Sequence, residues 1–131
     1  MFQPIHRHLI ATGYQTRPYK KKDIPKVTKW FNEIVELVDM NILVPPKVIY
    51  CDTFGNEGIT GFTVIDTSHI SGHWWEAPKP FFKLDLYSCK DFDEDVVINH
   101  IKELDCFTIS YSVINREFDD RPKIHSKTIT F

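Results

Sequence analysis

The run Asp66-Thr67-Ser68-His69-Ile70-Ser71-Gly72-His73-Trp74-Trp75 gathers more potential chemistry than any other stretch of this 131-residue chain. It follows a β-branched, alternating segment and sets a serine ahead of two histidines and two tryptophans. Most serines beside strands are structural. One held in a strained backbone has another course: its hydroxyl attacks the carbonyl of the residue before it, here Thr67, and turns the amide into an ester. Elimination across the former serine and hydrolysis then leave a ketoacyl group, a pyruvoyl, at the start of the second fragment. The chain would divide into residues 1–67 and 68–131. A pyruvoyl carbonyl forms a Schiff base with a substrate amine and accepts the electrons released when CO2 departs, an electron-sink role.

The other reactive residue types admit plainer readings. His69 and His73 stand four apart, a spacing that suits a metal only on a helix. The local pattern is not helical and no Glu lies between them, so no metal is expected. His6 and His8 alternate on a strand, and a core or edge place is expected for His8. His100 and His125 have no companions and are expected at the surface. Cys51, Cys89 and Cys106 are an odd count without CxxC spacing, which argues against a disulfide framework or a cysteine-rich zinc site. Cys51 and Cys106 read as structural, whereas the parity of Cys89 turns it away from the neighbouring apolar face. Trp74 and Trp75 suit a ligand wall or a surface buried between subunits.

The elements that must position these residues follow from periodicity. His6 to Tyr14 reads as a strand, Leu9 and Ala11 alternating with His8, Ile10 and Thr12. Asp23 to about Met40 is a helix, capped by Asp23, with Pro25 tolerated in its first turn and an apolar stripe of Ile24, Val27, Phe31, Ile34, Val35 and Val38. Pro45-Pro46 ends any helical continuation, and a short strand is expected over Lys47–Cys51. Ile59 to Asp66 is β-rich, with Gly61 marking a bulge or a close backbone approach. In Phe81 to Cys89, Phe82, Leu84 and Leu86 face one way and Lys83, Asp85, Tyr87 and Cys89 the other. A second helix is predicted from about Phe92 to Leu104 with Asp91 as its cap, then a strand over Cys106–Ile114 and an edge strand at Thr128–Phe131. The order β-α-β-β-β-β-α-β implies an α+β fold: a two-layer α/β sandwich, a mostly antiparallel sheet with two helices on one face, in a single domain spanning residues 1–131.

Composition bounds the function. Apolar residues make up 42% and charged residues 26%, as in ordinary globular chains. A formal net charge of −2 gives no electrostatic case for nucleic acid or membrane surfaces. Lys20-Lys21-Lys22, the one basic run, reads as a solvated approach to the helix. The absence of an apolar leader over Met1–Ile10 and of an 18-residue apolar run gives the expectation of a cytoplasmic protein with free thiols.

Gly58-Ile59-Thr60-Gly61, Ser68-His69-Ile70-Ser71 with His73, and Asp85-Leu86-Tyr87-Ser88-Cys89 together resemble the prokaryotic S-adenosylmethionine decarboxylases, as does Arg7-His8-Leu9. The resemblance runs from about residue 6 to residue 114. It implies that Ser68 becomes a pyruvoyl group, that His73 promotes the self-cleavage with help from the Thr60 hydroxyl, and that Cys89 protonates the product carbon. It further implies Glu76 as a ribose-binding residue and Phe54 as an adenine-stacking one, with Trp75 beside them. Three departures stand out: Thr67 replaces the usual glutamate, the proline before Glu76 is missing, and the loop holding Phe54 is longer. The implied cofactor is the pyruvoyl group alone, the implied substrate S-adenosylmethionine, and the implied assembly a homodimer with sites shared between subunits. Two alternatives remain at this stage: arginine or ornithine as substrate on the same fold, and a non-processing, non-catalytic relative that binds a nucleoside or a paralogous partner.

Overall fold

Alternation decides the sheet. The structure, a computed structural model, describes residues 5–116 and 123–131. Its strands are β1 (Arg7–Gln15), β2 (Ile42–Cys51), β3 (Gly58–Ile65), β4 (Ser68–Trp75), β5 (Phe81–Ser88), β6 (Cys106–Asn115) and β7 (Lys123–Thr130). They form one seven-stranded sheet in the order β2-β3-β4-β5-β1-β6-β7, with every neighbouring pair antiparallel. Leu9 of β1 aligns with Leu86 of β5 and Val113 of β6, and Leu86 with Ile70 of β4. All four are buried, so the apolar sets fall on one face across the sheet.

Helix α1 (Ile24–Leu37) and helix α2 (Glu94–Ile101) cover that face. Val27, Phe31, Ile34 and Val35 are buried as the stripe predicts, and Phe31 meets the Trp74 ring edge-on at 6.0 Å. This is the expected two-layer α+β sandwich. Gly61 produces no bulge, since β3 and β4 stay in register through it. It is the site of a close approach instead: a Cβ there would lie 2.9 Å from Phe31 Cε2.

Several details differ from the sequence reading. Asp23 does not cap α1 through its side chain; it is buried, accepts the Lys20 backbone N–H at 2.8 Å and pairs with Arg17. A 3₁₀ turn, Lys21–Asp23, precedes the helix. Asp93, not Asp91, caps α2 by accepting the Asp95 N–H at 2.9 Å, while Asp91 pairs with Arg7 at 2.8 Å. Strand β2 runs through Pro45-Pro46, with register shifts between Ile42 and Lys47, which an edge strand permits because one side needs no ladder donor. Strand β7 is longer than expected and pairs with β6 along its length. His100 is buried, not at the surface; its ring stacks on Trp30 at 5.0 Å and Trp30 Nε1–H donates to its carbonyl.

Candidate active site

Ser68 opens β4 with φ of +151°, a region that residues with a Cβ rarely adopt. Holding it there costs on the order of 1–3 kcal/mol of backbone strain at Ser68. The turn before it is clamped. Asp66 accepts the Asn41 side-chain amide at 3.0 Å, and the Thr67 hydroxyl donates to Met40 Sδ at 3.1 Å in a buried pocket. On the other side, the Cys89 backbone N–H donates to the Thr67 carbonyl oxygen at 2.9 Å. That donor polarises the carbonyl that the Ser68 hydroxyl would attack, and it remains in place as charge gathers on the oxygen. The geometry suits an N-to-O acyl shift.

Cys89 follows β5 by one residue and is half-buried, while its neighbour Ser88 is fully buried. Its half-burial next to the buried Ser88 fits the parity that turns it from the core. Its carbonyl accepts the Ile5 N–H at 2.8 Å, which fixes the segment against β1. Cys106 is buried, and desolvation pushes its thiol up to about 11.

The remaining predicted residues gather elsewhere. Thr60 and His73 are cross-strand partners on β3 and β4. Five residues along a strand separate Ser68 from His73, a span of about 16–17 Å. His73 lies on the helix-free face, with its ring 4.1 Å from that of Trp75. Its Nε2 is buried and has no hydrogen-bond partner among the described residues, and desolvation lowers its pKa, so the ring is neutral at neutral pH. Trp75 stacks on Phe81 at 4.7 Å and donates its indole N–H to Asn56 Oδ1. Trp74 is neither a ligand wall nor a subunit surface; it is fully buried under α1. Glu76 accepts the Tyr50 hydroxyl at 2.6 Å and Lys20 Nζ at 3.0 Å, bonds that hold its carboxyl below the usual range. Phe54 is 98% exposed at a loop tip. Within one chain, then, the Cys89 backbone meets the Thr67 carbonyl just ahead of Ser68, and Thr60, His73, Trp75 and Glu76 lie further along the strands.

Residues that the spacing did not single out also meet at Ser68. His69 Nδ1 is 3.1 Å from Ser68 Oγ, and His69 Nε2 is 3.5 Å from Asp85 Oδ1. His8 Nε2 is 2.7 Å from the same Asp85 oxygen. Register alone creates this cluster: His8, Tyr87 and His69 align across β1, β5 and β4, and Asp85 sits two pairs along, on the same face as Tyr87. Among the described residues no group of three His, Cys, Asp or Glu side chains is arranged to hold a metal ion.

A sequence profile of the family described as S-adenosylmethionine decarboxylase matches residues 7–117. An S-adenosylmethionine decarboxylase proenzyme of Pyrococcus horikoshii is 27% identical over 129 residues, covering 95% of this chain and 88% of the relative. The proenzyme of the same name from Pyrococcus abyssi is 27% identical over 128 residues, covering 93% and 87%. That of Pyrococcus furiosus is 27% identical over 100 residues, covering 76% and 68%.

Proposed function

We propose that this chain, which belongs to the S-adenosylmethionine decarboxylase family, is a self-cleaving proenzyme whose mature form decarboxylates S-adenosylmethionine and so supplies the aminopropyl donor for spermidine. The observation that carries the reading is the strained Ser68, φ +151°, beside a Thr67 carbonyl already bonded to the Cys89 N–H. These residues fit the making of a pyruvoyl group, which supplies an electron sink for an amine substrate. Cleavage falls between Thr67 and Ser68 and leaves fragments of 67 and 64 residues. The Cys89 thiol, half-buried and facing away from the core, is the proton donor to the product carbon. Glu76 and Trp75 hold the nucleoside part of the substrate, with Phe54 stacking on its base. The three Pyrococcus proenzymes named above favour S-adenosylmethionine over arginine or ornithine.

We further infer a homodimer in which each Ser68 is served by Thr60 and His73 of the second copy. The separation of about 16–17 Å along β4 supports it, because one chain alone leaves His73 out of reach of Ser68. The unpartnered Nε2 of His73 on the open sheet face supports it as well. No helix among the described residues is long and apolar enough to cross a membrane, and three free cysteines suit a reducing compartment, so the cytoplasm is the proposed location.

The test is direct. Fresh protein analysed by intact mass under denaturing conditions is expected as two fragments, the second with a blocked amino end, and to release CO2 from S-adenosylmethionine. Ser68→Ala is expected to stay whole and to release none. A Ser68→Ala chain that turned over substrate like the parent would overturn the reading.

A further inference from the structure

We propose that His69 is the base that takes the Ser68 hydroxyl proton during self-cleavage, with Asp85 as the residue that positions it. The inference deepens the self-cleavage reading and rests on it. His69 Nδ1 stands 3.1 Å from Ser68 Oγ, within hydrogen-bond reach of the proton to be removed. The opposite ring nitrogen, Nε2, lies 3.5 Å from Asp85 Oδ1. A carboxylate on that side favours, by its charge, the hydrogen on Nε2 and the lone pair on Nδ1, which is the tautomer that can act on Ser68. The His69 ring is fixed in plane by Tyr87, stacked at 6.0 Å and an interplanar angle of 25°, and Arg116 lies over the same Tyr87 ring at 4.6 Å. Asp85 in turn is held by His8 at 2.7 Å, and Arg116 Nη1 closes the cluster 3.3 Å from His8 Nδ1. Thr67 brings no carboxylate of its own; its hydroxyl is directed at Met40 Sδ.

The step balances within the chain. The Ser68 Oγ–H proton passes to His69 Nδ1 as Oγ bonds to the Thr67 carbonyl carbon. The Thr67–Ser68 C–N bond then breaks, and the proton moves from His69 to the freed Ser68 nitrogen. No oxidant, metal or second substrate enters. His69 touches the reacting atom and is catalytic; Asp85 acts only through it.

The experiment follows the rate at which full-length chain divides after refolding, read by denaturing mass spectrometry, with thermal unfolding to establish that each variant is folded. The parent is expected to cleave, His69→Ala to cleave at least about a hundredfold more slowly, and free imidazole to restore much of that loss. Asp85→Asn is expected to slow cleavage about tenfold or more, with Asp85→Glu recovering part of it. A folded His69→Ala chain that cleaves at the parent rate, or that imidazole leaves inert, overturns the assignment while leaving self-cleavage itself intact. A parent chain that never divides overturns both.

Discussion

Cys89 brings two groups to one place, and they respond to different substitutions. Its backbone N–H bonds the Thr67 carbonyl oxygen at 2.9 Å and is assigned, in the proposed function, to chain cleavage. Its thiol is assigned there to the decarboxylation that follows. Cys89→Ala removes the second and keeps the first. The expected outcome is a chain that still divides into 67 and 64 residues while CO2 release falls roughly 10²–10⁴-fold. Intact mass and turnover measured on one preparation check both halves; failure to divide would assign the thiol to maturation as well. Ser68, His73 and Cys89 stood out in the sequence because the runs that carry them resemble the family, with parity turning Cys89 away from the neighbouring apolar face. Asp85 and His8 carried no role there. Their meeting with His69 depends on the register of β4 and β5 and on β1, remote in sequence from both, lying beside β5, and no local spacing encodes it.

The approach to α1 shows how charge shapes an element. The Arg17 guanidinium forks onto Asp23 with bonds of 3.1 and 3.0 Å, and Lys26 and the Tyr19 hydroxyl both reach Asp105 Oδ2, at 2.6 and 2.8 Å. Burial alone would raise both carboxyls. For Asp23 the bonds from Arg17 and the Lys20 N–H outweigh it, and for Asp105 those from Lys26 and Tyr19 do, so both lie below the ordinary value. A carboxylate whose folded pKa is depressed lends stability that is present above its unfolded value, about 3.9, and is lost as pH falls through the folded one. The stability of the uncut Ser68→Ala chain is therefore expected to drop below about pH 4. Asp23→Asn should cost about 1 kcal/mol at neutral pH, because it removes the two Arg17 bonds while leaving the half-exposed guanidinium its contact with Asp105 at 3.6 Å, and should make the acid loss smaller. Urea unfolding across a pH series checks this. The helix itself was readable because its stripe repeats over four turns, and β1, β5 and β6 because apolar and polar residues alternate along them. The edges were not. Pro45-Pro46 reads as a stop in sequence, yet β2 carries it at the sheet's rim, where a missing N–H leaves no ladder bond unmade. The burial of His100 was hidden for the same kind of reason, since its partner Trp30 comes from the other helix.

At the scale of the molecule, one sheet face carries both helices and the other, among the described residues, carries none. The bare face holds a concavity of about 1060 Å³ lined by Thr60, His73, Lys83, Asp85 and Ser110, with Ile10 and Phe62 among its apolar members. Ile49, also on this face, is 58% exposed. Two copies related by a two-fold axis would meet through the same patch, so each would bring its Thr60–His73 pair toward the other's Ser68. This arrangement makes a prediction that a self-sufficient chain does not. Ser68→Ala and His73→Ala homodimers should both remain whole, the first for want of a nucleophile and the second for want of the promoting histidine. In a mixed dimer one site regains both, because the intact Ser68 of the His73→Ala chain faces the intact His73 of its Ser68→Ala partner. The other site lacks both. Cleavage should therefore appear in the His73→Ala chain alone, in roughly half of those chains under random pairing, and mass tags on the two variants would tell them apart. Mixed chains that all stay whole, beside a parent that divides, would return His73 to a role within its own chain and leave the open face to some other use.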